Sequence, residues 1–170
     1  MCTGMWQDYS INDEGKISTL RVEYNNKIHG NSVVSERCFI PGEVIYKFHN
    51  CRLINIPTYQ TIQIGENEHL IDLDIMAYLN HSCMPNTFID TKDLSIIAAR
   101  SIMPGEDLTI FYPSTEWEMA KPFICQCKAP DCLGLIAGAK YLLPEILNRY
   151  HISLHISQMA YYDRVVLSGR

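Results

Sequence analysis

At 170 residues, with 47% hydrophobic and 19% charged residues, the chain has the composition of a folded domain and excludes a disordered one. A formal net charge of −5 argues against holding nucleic acid by its phosphates, so no direct nucleic-acid partner is expected and a basic partner is left open. No apolar run approaches the roughly 18 to 20 residues of a membrane span, so no membrane partner is expected, and oligomeric state is not legible.

Met1 to about Leu20 mixes Gly, Ser, Asn and Asp with little periodicity and reads as a leader over residues 1–20. Its opening, MCTGMWQDYSINDEG, lacks the basic start and apolar middle of a secretion signal. The seven cysteines are an odd number, so an intracellular, reducing compartment is expected, cytoplasmic or nuclear, where thiols stay free or bind metal. From Arg21 the text changes. RVEYNN, NSVVSERCF, EVIYKF, TFIDT and LSIIAARSI are short and rich in Val, Ile, Phe and Thr, and Gly, Pro or Asn punctuates them, which predicts strands. Pro41-Gly42-Glu43 and Pro104-Gly105-Glu106 each precede an apolar segment and read as tight turns, too short a match for an internal repeat. GENEHLIDLD carries Glu66, Glu68, Asp72 and Asp74 and reads as an acidic rim or a solvated face. Near the end, Pro144 opens a predicted helix with Leu143, Ile146, Leu147, Tyr150 and Leu154 on one face. The chain is therefore mainly β with short helices.

Two segments carry chemistry. NHSCMPN, Asn80 to Asn86, is a polar turn around one thiol. In PFICQCKAPDCLG, Cys125 and Cys127 are one residue apart, so extended backbone sends both side chains to the same face, and the turn at Pro130 and Asp131 returns Cys132. A disulfide at that spacing is badly strained. Three converging thiolates make most of a tetrahedral zinc site, whose fourth ligand comes from Cys2, Cys38, Cys51, Cys83 or a histidine.

These residues resemble the SET-domain protein lysine methyltransferases. KIHGNSVVS with FIPGEVI resembles the opening turn and strand of that family. YLNHSCMPN resembles its central motif, IIAARSIMPGEDLTIFY the strand ending in the catalytic tyrosine, and FICQCKAPDCLG its post-SET segment, all in the family's order across Lys27 to Gly138. The resemblance implies a SET fold of small sheets closed by a pseudoknot, with the SET domain over 21–115, a post-SET zinc segment over 116–138 and a helical tail over 139–170. It implies that Cys83 joins Cys125, Cys127 and Cys132 on zinc. It implies S-adenosylmethionine as cofactor, contacted by Gly30, Asn31, Ser32, Tyr78, Asn80, His81, Tyr112 and Phe123. Tyr112 stands as the catalytic tyrosine, with Phe48, Tyr78 and Ile110 along the substrate channel. The implied reaction moves a methyl to a lysine of a basic protein or peptide. The alternative is a catalytically inactive SET-like module that binds peptide and keeps the zinc.

The chemistry suits such residues. Free lysine, pKa near 10.4, is neutral only about once in a thousand near pH 7, which costs roughly 4 kcal/mol. A dry channel favours the neutral amine, so the site needs alignment more than a strong base. Four positions depart from the family pattern: Ser32 replaces a glycine, Phe48 a tyrosine, Phe111 an acid before the catalytic tyrosine, and Ala77 an arginine. Ile110 stands where relatives carry Phe or Tyr and is the smaller, so addition of more than one methyl is expected.

Overall fold

The computed structural model describes residues 19–26, 30–72 and 74–168. The expected leader up to residue 18, Cys2 and Lys27 lie outside the described residues. The strands follow the punctuation in the sequence: β1 (Leu20–Asn26), β2 (Gly30–Ser35), β3 (Val44–Lys47), β4 (Cys51–Ile54), β5 (Ile62–Gln63), β6 (His69–Asp72), β7 (Asn80–His81), β8 (Thr87–Asp90), β9 (Ser95–Ala98), β10 (Thr109–Ile110), β11 (Phe123–Ile124) and β12 (Leu135–Ile136). They pair into small sheets: β1 with β2, β3-β9-β8, β4-β6-β5, β7 with β10, and β11 with β12. Only the β7–β10 pair is parallel among these, with Thr109 opposite Asn80 and Ile110 opposite His81.

The two Pro-Gly-Glu turns share a wider device. Glu43 accepts the N–H of Ile40 and pairs with Arg37 at 2.6 Å, while Glu106 accepts the N–H of Met103 and pairs with Arg100 at 2.8 Å. In each, the glutamate closes the turn three residues back and holds an arginine six back, and glycine takes the positive φ (83° and 86°) that the bend requires. Phe39 and Ile102, at matching places in the two segments, exchange both backbone hydrogen bonds and are fully buried.

From that turn the chain threads through the fold. Leu108 N–H donates to Val33 O at 2.7 Å and Ser35 N–H to Glu106 O at 2.9 Å, which ties residues 105–108 to β2. The next two residues form β10 against β7. Asn86 fastens the crossing: its Nδ2 donates to Asp107 O and its Oδ1 accepts from Thr109 N–H, each at 2.8 Å. This is the expected pseudoknot, and the asparagine supplies it because it offers both a donor and an acceptor on one short side chain. Val33, Phe39, Ile89, Ile96, Ile102 and Leu108 form part of the main core around this crossing. Among the described residues no helix is long and apolar enough to cross a membrane.

Two sequence expectations need correction. The predicted C-terminal helix is two helices, α1 (Pro144–Leu147) and α2 (Leu154–Ser168), and Leu143 and Leu154 point to solvent. Tyr150 leaves the helical path because its ring stacks on Phe111 (centroids 3.7 Å apart, 9° between planes) and its hydroxyl donates to Cys83 O at 2.9 Å. The acidic run is likewise not one rim. Asp72 is buried and its Oδ1 accepts the backbone N–H groups of Asp74, Ile75 and Met76, so it caps the turn at Met76–Tyr78. Asp74 is held by Asn50 and the Tyr46 hydroxyl, and Glu66 and Glu68 are exposed.

Candidate active site

The crossing at β7 and β10 brings together side chains far apart in the sequence. Asn80, on β7, donates its Nδ2 to Asn31 O at 2.8 Å, drawing the Gly30-Asn31-Ser32 stretch against the central motif. Gly30 sits at φ 77° with nothing within 4 Å of where a Cβ would stand, an open backbone face. Ser32 is fully buried and its hydroxyl has no hydrogen-bond partner among the described residues.

Tyr112 follows β10 and opens a single 3-10 turn. Its hydroxyl donates to Leu79 O at 2.9 Å, and its N–H donates to His81 Nδ1 at 3.2 Å. Burial, then the charge of Glu116, pushes the phenol up to about 12, so it is a proton donor at neutral pH and no base. Burial pulls His81 down to about 4, leaving a neutral ring. Since its Nδ1 accepts, the proton sits on Nε2, which points at Cys83 Sγ 3.4 Å away. His81, Tyr112 and Phe123 stand mutually edge to face, with centroids 5.2 to 6.0 Å apart. Phe111, the departure from the acid of the family pattern, is buried between His81 and Tyr150 and makes the wall behind the site apolar.

The four thiols of Cys83, Cys125, Cys127 and Cys132 lie within 4.8 Å of one another. A tetrahedral ion with Zn–S bonds of about 2.3 Å has sulfurs about 3.8 Å apart, so the cluster fits a metal with slight contraction. Cys83 and Cys125 already stand at 4.0 Å. Burial raises the Cys127 thiol, but the N–H of Cys83, then that of Ala129, and the Cys125 and Cys132 thiols outweigh it and bring it down to about 6. Backbone N–H groups of Cys83, Cys127 and Leu133 point at sulfurs at 3.4 to 3.5 Å, the donors that steady thiolate ligands. Cys38 and Cys51 are elsewhere, Cys51 beside Asp72.

A cleft of about 390 Å³ runs along this cluster, lined among others by Asn80, His81, Ile110, Tyr112, Phe123 and Glu116. That volume is within the range of small-molecule sites. Phe48 is in the main core and does not line the cleft, nor does Tyr78, whose ring stands edge-on to Tyr24 at 5.9 Å; Gly30, Asn31 and the fully buried Ser32 are also not among its lining residues. The tail closes the back: Ser153 N–H donates to Ser114 O, and His155 Nε2 donates to Thr115 O at 2.9 Å. Sequence reading missed Glu116 and Tyr150. Glu116 carried a faint signal, an acid four residues after Tyr112 and beside Trp117, whereas nothing local marked Tyr150.

Residues 30–113 match the family model described as SET domain. The chain belongs to the SET-domain family. This SET-domain protein is 38% identical over 104 residues to methyltransferase flvH of Aspergillus flavus, covering 60% of this chain and 58% of that protein. It is 31% identical over 124 residues to human histone-lysine N-methyltransferase 2D, covering 67% of this chain and 2% of that one. The chain thus spans under two thirds of the length of either relative. Its fold is like that of KRYPTONITE in complex with mCHG DNA and SAH, with TM-score 0.55 and 22% identity, covering 71% of this chain and 30% of that chain. That neighbour's structure is a complex with DNA.

Proposed function

We propose that this SET-domain protein is a protein-lysine N-methyltransferase using S-adenosylmethionine, with a basic protein or peptide as substrate. The carrying observation is that the Tyr112 hydroxyl, fixed by Leu79 O, lines the same cleft as Asn80, His81 and Phe123, directly against a four-thiol metal centre. Zinc is the metal assigned to Cys83, Cys125, Cys127 and Cys132, since four soft thiolates in a closed, partly buried cluster suit it. A reducing intracellular compartment, cytoplasmic or nuclear, keeps such thiols available for it.

The residues present fit the cofactor. Asn80, His81 and Phe123 line the cleft, and Gly30 and Asn31, tied to Asn80 through Asn31 O, present an open backbone face next to it. S-adenosylmethionine, when bound, supplies an activated methyl. The protein's part is alignment: the protonated Tyr112 donates toward oxygen acceptors and keeps the end of the channel dry, and Ile110, buried at 4% exposure, sets its width. Residues 21–115 serve as the SET domain, 116–138 as the post-SET segment that brings three sulfurs to Cys83, and 139–170 as a tail that braces the site.

The test uses the full zinc-loaded chain with labelled S-adenosylmethionine and mixed core histones. Label on lysine from wild type, and its loss in Tyr112→Phe with S-adenosylhomocysteine still raising Tm, is expected. No label from wild type, together with a Tm rise on S-adenosylhomocysteine, would support the silent peptide-binding alternative and refute the enzyme.

A further inference from the structure

Glu116 is a half-buried carboxylate with no ion pair among the described residues, and it lines the cleft beside Tyr112. Its place is fixed by several bonds. Its backbone N–H donates to Tyr112 O at 3.0 Å, so the two residues share one turn. Its Oε1 accepts the N–H of Gln63 on β5 at 2.8 Å and the Thr115 hydroxyl at 3.3 Å. Its Oε2 accepts no hydrogen bond from the described residues and is open to the cleft. An acid half withdrawn from water, with one oxygen bonded by the protein and the other left toward a cleft, is arranged for a cation that arrives.

We propose, resting on the lysine methyltransferase reading, that Glu116 Oε2 takes the proton from the substrate lysine's ammonium in the cleft. In that step one Nζ–H bond breaks and an Oε2–H bond forms. The electron pair of the broken bond stays on nitrogen as the lone pair, and the ammonium and carboxylate become a neutral amine and a neutral carboxyl. The amine is then able to accept a methyl, and the carboxyl returns its proton to water after the product leaves. One proton is released for each methyl added.

The electrostatics agree with this geometry. Burial outweighs the Gln63 N–H and the Thr115 hydroxyl and lifts the Glu116 carboxyl to about 7, near the value that serves a general base best at neutral pH. Tyr112 does not compete for the proton, since it keeps its own to about 12. His69 on β6 and His155 on α2 are both lowered by burial, and Tyr59, Lys121 and the ligand cysteines Cys125 and Cys127 complete the titratable lining of the cleft. Opening with a charged lysine also helps capture, because the carboxylate attracts the ammonium before discharging it.

The experiment compares wild type with Glu116→Gln, which keeps an oxygen for the Gln63 N–H. Initial rates on mixed core histones are followed from pH 5.5 to 9.5. Wild-type kcat is expected to rise with a midpoint near pH 7, and E116Q to lose about 100-fold in kcat, with that limb displaced upward and KM changed less than threefold. Separately from activity, carbon-13 NMR of side-chain carboxyl-labelled glutamate in the zinc-loaded protein is expected to show one resonance titrating near pH 7 that is missing in E116Q. An active wild type whose E116Q variant keeps kcat and the same limb, or shows only a raised KM, overturns the role of Glu116. So does a Glu116 carboxyl titrating below pH 5. Absence of transfer by wild type overturns the methyltransferase reading instead, and the NMR titration tells the two failures apart.

Discussion

Asn86→Ala tests the threading of the chain beneath the central motif. Asn86 is 2% exposed, and its side chain makes two hydrogen bonds of 2.8 Å, to Asp107 O and from Thr109 N–H, plus a longer one of 3.3 Å from the Thr109 hydroxyl. Truncation removes all three and leaves no room for bulk water to replace them. At about 1 kcal/mol for each good bond and more for a buried group left without a partner, the loss comes to about 2–4 kcal/mol. For a chain of this size 1 kcal/mol moves Tm by about 2–4 °C, so the melt is expected about 4–16 °C lower. Calorimetry and urea unfolding with zinc saturating in every sample measure it. Asn86→Asp is the control: it keeps the acceptor for Thr109 N–H but turns the donor facing Asp107 O into a second acceptor, so it is expected to cost at least as much. A loss under about 0.5 kcal/mol for Asn86→Ala would refute the idea that this side chain fastens the crossing.

Three further outcomes follow from single contacts. Tyr150→Phe keeps the stack on Phe111 and loses only the hydroxyl bond to Cys83 O, so Tm is expected to fall about 2–4 °C, and Tyr150→Ala, which also empties the stack, to fall at least twice as far by the same melt. Glu116, held at about 7 in the fold against 4.5 for a free side chain, binds more proton when folded than unfolded between those values. Stability is therefore lost as pH rises through that window, and Glu116→Gln is expected to melt above wild type at pH 8 but not at pH 4.5; an equal difference at both would contradict it. Ile110, buried on the channel and smaller than an aromatic ring, is expected to allow di- or trimethyl product, and Ile110→Tyr to stop at one methyl, as read by mass spectrometry of the product peptide.

Local patterns made much of the molecule readable. The β-rich segments with Gly and Pro breaks appear as β1, β2, β3, β8 and β9, because each is a short run of strand-forming residues that a turn residue ends; β8 alternates buried and half-buried positions, while β2 and β9 are mostly buried. The crowding of Cys125, Cys127 and Cys132 announced a thiol cluster with the geometry to hold a metal, since one-residue and four-residue spacings already turn three sulfurs toward a point. The Arg-to-Glu pairing around each Pro-Gly-Glu turn was also present in the text, Arg37 with Glu43 and Arg100 with Glu106, though its meaning needed the paired Phe39 and Ile102 to become visible.

Other features had no local cause. Tyr150 has the spacing of a helix face, and only the distant carbonyl of Cys83 and the ring of Phe111 draw it out of the helix. Asp72 belongs to an acidic run, yet three backbone N–H groups in the following turn bury it. Glu116 is one acid among many until Gln63 and Tyr112 close around it. A side chain's propensity and its neighbours in sequence set which element it joins, and these were enough for strands, turns and thiols. Burial and charge partners come from segments dozens of residues away, so which acid is lifted, which ring is pinned and which residues line the cleft were decided only when the chain crossed itself.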